Sequence, residues 1–481
     1  MAILKGLIRD ALSGAPVAAK VNVLSSSGSP LHPADSIMKV GPGVPFFYCG
    51  GEFSLNVPRG STDILVERGT EYKPLHQVVS VPSKGAVEVE LQLERWVDLP
   101  ARHWYPGNTH IHYDELEGKP DERLRLDPEV NDLSVTAVSI LQRGEIPYAS
   151  NKYPIGFMTD FSTAHRLVDC GEESRHNAHH GGGYGHVMLL NLRNLVEPVS
   201  RGDLVSAFDP DYPPLCYACD DARTQGGLVL WCHNGRGMEA PVAAALGKLD
   251  AFNLFDPSWK ELEYDIWYHL LNCGIPLPAS TGSDWFICSN NRVYVQSGED
   301  FNYASWLEGL RAGRTFITNG PALFLAVDGQ QPGGRIEVAG SRRLGISVEW
   351  SSFYPLRRIE VVCNGVVIQS RGLEEGHQQR EGKWRFDLPS QGEGWVAARA
   401  YGEARDSFAQ PVYAHTSPIY LGAGLAPDKV GSSAGFFLRA IEEARDLIDR
   451  FGRFSQDVQR QEVLHLFEEG RKVYAALRSG A

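Results

Sequence analysis

The stretch Tyr105-Pro-Gly-Asn-Thr-His-Ile-His-Tyr-Asp114 constrains this chain more than any other. On a β-strand, side chains two residues apart share a face, so His110 and His112 present two imidazoles side by side while Thr109 and Ile111 point into packing. Two neutral imidazoles on one face make a metal clamp. Gly107, just before them, takes backbone angles that suit a chain entering a buried strand.

More metal-competent side chains follow in the same region. Gly171-Glu-Glu173 precedes Arg175-His-Asn-Ala-His-His180, and Gly185-His186 opens the apolar run Val187 to Leu192. His233 ends the apolar run Leu228-Val-Leu-Trp-Cys-His, and Asp284 closes Thr281-Gly-Ser-Asp. Eight of the 15 histidines fall between residues 103 and 186, a clustering that packing alone does not explain. Imidazole and carboxylate without cysteine suit zinc, manganese or iron at a hydrolytic centre. A carboxylate is needed to bridge two cations about 3.5 to 4 Å apart, and Glu173 or Asp284 can serve. Such ions lower the pKa of bound water from 15.7 toward about 7, which makes hydroxide the expected nucleophile.

Glu172 adjoins Glu173 and can exchange roles with it. His176, His179 and His180 lie in a Gly-rich stretch, as solvated side chains or as general acids for a leaving group. Arg143, Arg175 and Arg292 are candidates for holding a substrate anion. Tyr113, Tyr184 and Trp285 either line a pocket or pack in the core.

The flanks read differently. Residues 1–97 predict a β-sandwich: Val87, Val89, Leu91 and Leu93 alternate with Glu88, Glu90 and Gln92, and further strands are expected at Lys20–Leu24, Glu52–Val57 and Asp63–Glu67. Residues 98–320 alternate short apolar strands with helical stretches (240–246, 259–271), the pattern of a parallel β/α barrel with its chemistry where strands end. Residues 321–424 return to strands, with Asn364-Gly365 as a two-residue type I′ turn. In residues 425–481, Phe437, Ile441, Ala444 and Ile448, then Val463, Phe467 and Tyr474, form apolar stripes that predict docking helices. The expected class is therefore α/β plus all-β, multidomain: a central barrel, two flanking sandwiches and a helical tail.

A net charge of −13 argues against a nucleic-acid partner. No run of 18 apolar residues occurs and Met1 to Pro16 lacks the apolar core of a signal peptide, so a cytoplasmic protein without a membrane partner is expected. A homo-oligomer remains open. Cys216-Tyr-Ala-Cys219 lacks the second pair that a zinc site would need.

The same residues carry family resemblances. Gly6-Leu-Ile-Arg-Asp10, Gly14-Ala-Pro-Val17 and Gly51-Glu-Phe-Ser-Leu-Asn-Val-Pro58 resemble carboxypeptidase regulatory-like domains, which implies a small scaffold sandwich. Asn108-Thr-His-Ile-His112, Gly171-Glu-Glu173 and Gly185-His186 are similar to motifs of the polymerase and histidinol phosphatase superfamily. Its carbaryl-hydrolase-like branch is resembled by Gly226-Gly-Leu-Val-Leu-Trp-Cys-His233, Leu270-Leu-Asn-Cys-Gly274, Gly282-Ser-Asp284 and Leu307-Glu-Gly-Leu-Arg-Ala-Gly-Arg-Thr-Phe-Ile-Thr-Asn-Gly-Pro321. The resemblance implies a distorted β/α barrel with divalent cations held by His110, His112, Glu173, His186, His233 and Asp284; beside them, the residues themselves offer Glu172, Arg175 and His176 as catalytic candidates. Two departures matter: Val138-Ser-Ile-Leu-Gln142 stands where the superfamily carries Asp-His, and Asp284-Trp-Phe286 where it carries Asp-x-His. Both remove ligands of a three-metal centre, so two cations, or one, are expected. The implied activity is a metal-dependent hydrolase of an ester, amide or carbamate in a small-molecule substrate. Alternatives are a metal-dependent phosphoesterase and a non-catalytic glycan- or surface-binding protein.

Overall fold

Alternation drives the first unit as expected. Ala86–Leu93 buries Leu91 and Leu93 and turns Glu88, Glu90 and Gln92 to solvent. It pairs in parallel with Ala2–Asp10, which pairs antiparallel with Glu52–Val57. This small sheet shares an apolar core with a second sheet containing Ala19–Leu24, Gly60–Glu67 and Leu75–Val81. The computed structural model describes residues 1–480 apart from 41–44, 114–117, 141–152, 178–182, 201–208, 256–260, 285, 339–341, 390–393 and 423–426. Arg143, His179, His180 and Trp285 lie outside the described residues.

The chain is mixed α/β and strand-rich, and its centre is a large sheet curled into a half-barrel. Seven strands carry or flank the candidate ligands: β1 (Trp104–Ile111), β2 (Val135–Ile140), β3 (Leu167–His176), β4 (Gly185–Leu190), β5 (Leu228–Trp231), β6 (Ala251–Asn253) and β7 (Ala279–Ser280). They lie in the order β7-β6-β5-β4-β3-β2-β1. The expected all-parallel sheet is not what forms. Pairs β1–β2, β2–β3, β5–β6 and β6–β7 are parallel, but β3–β4 and β4–β5 are antiparallel. Only residues 177–184 join β3 to β4, too few for a crossover helix, so the chain turns back as a hairpin.

The curl brings the chain after β7 back onto β1. Thr109 Oγ1 donates to Thr281 O at 2.9 Å, and the Ser283 and Asp284 N–H groups both donate to His110 O, at 2.9 and 2.8 Å. Gly282 permits this approach, since a Cβ there would lie 2.6 Å from His110 Cβ.

The sheet also continues past residue 320, where the sequence places a change of unit. β8 (Arg292–Gln296) pairs with the free edge of β1, β9 (Thr315–Thr318) pairs with β8, and Pro411–Thr416 pairs with β9. The half-barrel sheet thus runs without a break into the C-terminal strands, which satisfies edges that separate domains would leave open. Within that part, Leu356–Cys363 and Val366–Gly372 form the expected hairpin, with Asn364 and Gly365 at φ 53° and 83°. The three-stranded sheet of Ala322–Val327, Arg343–Ser351 and Glu381–Pro389 covers it across a second apolar core.

The tail forms two helices, Pro427–Phe451 and Asp457–Ser479, whose stripes bury Phe437, Ile441, Ile448, Phe467 and Tyr474. Tyr474 Oη donates to Pro241 O at 2.9 Å, which seats the hairpin on the helix Ala240–Ala245. Among the described residues no helix is long and apolar enough to cross a membrane.

Candidate metal centre

The curled sheet gathers all six sequence-derived ligands at one end. His110 and His112 come from β1 and its exit, Glu173 from β3, His186 from β4, His233 from the turn after β5, and Asp284 from the segment after β7. A register irregularity in β1 between Asn108 and Ile111 re-aims the strand at His110.

Two groups of ligand atoms share Glu173. Glu173 Oε2 lies 3.5 Å from His110 Nε2 and 3.0 Å from His112 Nε2, and Asp284 Oδ1 lies 3.5 and 3.3 Å from the same two nitrogens. Glu173 Oε1 lies 3.0 Å from His186 Nδ1 and 3.5 Å from His233 Nε2. One carboxylate therefore serves both groups, one oxygen each, as a bridging ligand must.

The side chains fit cations better than they fit one another. His112 Nδ1 donates to Ser139 O at 2.7 Å, which turns Nε2 toward the two carboxylates. Buried Glu173 Oε2 nevertheless meets no donor in hydrogen-bonding alignment. Lone pairs facing one another in a buried space require a cation or a proton between them. These buried groups can hold metal ions.

The protonation pattern agrees. Burial would push the Glu173 carboxyl up, but the facing imidazoles of His110, His112 and His186 outweigh it and hold it well below the usual carboxylate range. Burial raises Asp284 too, and His110 and His112 outweigh that effect and lower it. Burial disfavours charge on His112, yet the Asp284 and Glu173 carboxylates facing it carry it up to about 9. His186 goes the other way, pushed down to about 4 by burial. The two carboxylates thus favour positive charge on the facing side of His112.

The other candidates divide by strand face. In the β3–β4 ladder Arg175 stands opposite His186 and Glu173 opposite Met188, so Glu173, Arg175 and His186 share the site face. Arg175 Nη1 lies 3.8 Å from Glu173 Oε2. Glu172 and His176 belong to the opposite face and are not brought to the cluster. Glu172 Oε2 accepts the Val196 N–H at 3.2 Å. His176 is the last residue of β3, not part of a loop: its Nδ1 accepts the Tyr184 N–H at 3.1 Å and its Nε2 meets Asp211 Oδ1 at 3.2 Å. Arg292 is buried and donates to Ser289 O and Asn291 O, a packing role that leaves nothing for a substrate. Tyr113 donates to Asp127 under the Arg123 guanidinium, and Tyr184 stacks on His176 with centroids 4.0 Å apart; both are core.

Three supporting residues escaped sequence reading. Ser139 acts through its carbonyl, which leaves no signature in residue identity. Asn177 Oδ1 lies 2.9 Å from His186 Nε2, and Cys232 Sγ lies 3.8 Å from His110 Nδ1. Asn177 and Cys232 adjoin singled-out histidines, the only hint they offered. Among known proteins, no family model and no curated protein matches this chain.

Proposed function

We propose that this chain is a metal-dependent hydrolase acting on an ester, amide or carbamate carbonyl, akin to the carbaryl-hydrolase-like branch of the polymerase and histidinol phosphatase superfamily. The observation that carries the reading is the convergence of two groups of buried acceptors on a shared Glu173. His110, His112, Glu173, Asp284, His186 and His233 would hold the divalent cations, whose chemistry would be to polarise the substrate carbonyl oxygen and to bring hydroxide within reach at neutral pH.

The chain's own residues orient and stabilise. The Ser139 carbonyl holds the His112 ring with Nε2 inward, and the Asn177 amide does the same for the His186 ring with Nδ1 inward. Arg175, on the site face beside Glu173, is placed to donate to a developing oxyanion. The same guanidinium supports a second reading, a phosphoester substrate whose oxygens it would bind. Glu172 and His176 face away and are given no part in leaving-group protonation.

The test is elemental analysis with an activity screen. Wild-type protein is expected to hold about two equivalents of zinc, manganese or iron and to turn over an aryl ester or aryl carbamate. His110→Ala and Asp284→Ala should lose metal and turnover while keeping the far-ultraviolet spectrum of the wild type. Turnover of aryl phosphate alone would select the phosphoesterase reading, and undiminished turnover in either variant would refute the site.

A further inference from the structure

The two groups of ligand atoms are unequal. Among the described residues, one collects His110 Nε2, His112 Nε2, Glu173 Oε2 and Asp284 Oδ1; the other collects Glu173 Oε1, His186 Nδ1 and His233 Nε2. Both carboxylates face the first pocket at 3.0 to 3.5 Å, whereas the second is reached by one oxygen of Glu173, with Asp284 Oδ2 no closer than 4.0 Å to His233 Nδ1. Coulomb attraction for a cation is correspondingly stronger in the first. The imidazoles differ too: His110 and His112 side chains are 0% and 4% exposed, His186 and His233 13% and 11%. Asp284, at 18%, forms the outer wall of the first pocket. Four protein ligands close a zinc-like site, while three leave a position for water or substrate.

His186 also enters its pocket differently from His110 and His112, through Nδ1 rather than Nε2. Asn177 accounts for this. Its Oδ1, 2.9 Å from His186 Nε2, accepts the Nε2–H and leaves the Nδ1 lone pair facing Glu173 Oε1 at 3.0 Å and His233 Nε2 at 2.8 Å.

We propose that the pockets fill in order, the four-ligand pocket first, and that the three-ligand pocket, with His186 turned into it by the positioning residue Asn177, carries the exchangeable coordination position. This inference rests on the metal-centre reading above and adds to it an order, a location for exchange and a residue that sets it.

The experiment is a cobalt(II) titration of the metal-free full-length chain, followed by visible absorption, for wild type, Asn177→Leu and Asn177→Asp. Wild type should bind in two steps separated by at least about tenfold in affinity. Asn177→Leu, lacking the acceptor, should weaken the second step by about 10- to 100-fold and leave the first within about twofold. Asn177→Asp keeps an acceptor and should hold the second step at wild-type strength or tighter, which a merely structural role for Asn177 would not produce. Inorganic phosphate should leave the spectrum unchanged at one equivalent and shift it at two. Two indistinguishable steps, a phosphate shift at one equivalent, or equal weakening of both steps in Asn177→Leu would overturn the inference. Wild-type protein that binds no cobalt(II) would overturn the metal-centre reading itself, and this inference with it.

Discussion

Gly282 is the point at which the half-barrel closes on itself, and Gly282→Ala tests whether closure builds the metal centre. The added methyl would lie 2.6 Å from His110 Cβ and 2.7 Å from His110 N, against an ordinary contact of 3.4 to 4 Å. These obstacles are backbone and a Cβ, not a flexible side-chain tip, so the two segments must part by roughly 1 Å. Parting them stretches the bonds from Ser283 N and Asp284 N to His110 O, now 2.9 and 2.8 Å. Overpacking of this kind costs about 1 to 3 kcal/mol, a tolerable loss for a chain with this much core. The effect on the site is larger in proportion, because ligand distances are held to about 0.2 Å and His110 and Asp284 would separate by several times that. Gly282→Ala is therefore expected to stay folded, with its thermal midpoint lowered by a few degrees, and to lose the cation of the His110–His112–Glu173–Asp284 pocket. The assay is metal per chain after dialysis, alongside thermal unfolding by circular dichroism. Gly372→Ala is the control, since a Cβ there meets nothing within 4 Å. Two cations retained in Gly282→Ala at wild-type affinity would refute the reasoning.

Three further outcomes are expected. Glu173→Gln should lose both cations, because Glu173 alone belongs to both ligand groups, and elemental analysis showing one full equivalent would disprove the bridging role. Arg175→Met should keep its metal and lose turnover by about 100-fold, the usual scale for removing an oxyanion donor; unchanged turnover on every active substrate would remove Arg175 from the mechanism. His415, far from the centre, accepts from Tyr268 Oη at 2.6 Å and is pushed down to about 3 by burial. The unfolded chain then binds a proton that the folded chain refuses, so stability is full above about pH 6.5 and falls between about 6.5 and 3, by about 1.4 kcal/mol per unit. Urea unfolding across that range should show a flatter acid limb in His415→Gln, and identical slopes would exclude this histidine as a source.

What the sequence disclosed was local. The alternation in Ala86–Leu93 and the turn chemistry of Asn364-Gly365 depend on neighbours one or two residues away, and both formed as expected. The six candidate ligands were legible for a related reason: short motifs mark them, and all but Glu173, which lies inside β3, sit at or near a strand end. Choosing between Glu172 and Glu173 required more. Adjacent strand residues face opposite sides, and only the pairing of Arg175 with His186 decides which side is the site. That register is a property of the β3–β4 hairpin, and the hairpin was itself hidden, since apolar strands read alike whichever way they run. The continuous sheet from β1 through β9 to Pro411–Thr416 was hidden too, because pairing across about 100 residues leaves no periodic trace.

Backbone conformation shows how the candidate ligand set is held. His233 and Asp284 are non-glycine residues at φ 55° and 50°, and Asn234 beside His233 is at 54°. Left-handed backbone costs about 1 to 3 kcal/mol per residue and persists only where its surroundings over-determine it. Here they do: the Cys232 N–H donates to His186 O at 3.0 Å, Asn234 Nδ2 donates to Glu263 O at 3.1 Å, and the Asp284 N–H donates to His110 O at 2.8 Å. None of these bonds involves a ligand atom. Asp284 is thus tied directly to β1, and the turn that carries His233 is tied through its neighbours Cys232 and Asn234 to His186 and Glu263, while closure of the sheet drives the carboxylates of Glu173 and Asp284 toward the same two imidazoles. The fold performs the unfavourable part of the assembly in advance. What closure leaves at the centre is two carboxylates facing buried imidazoles at 3.0 to 3.5 Å, an arrangement that favours positive charge.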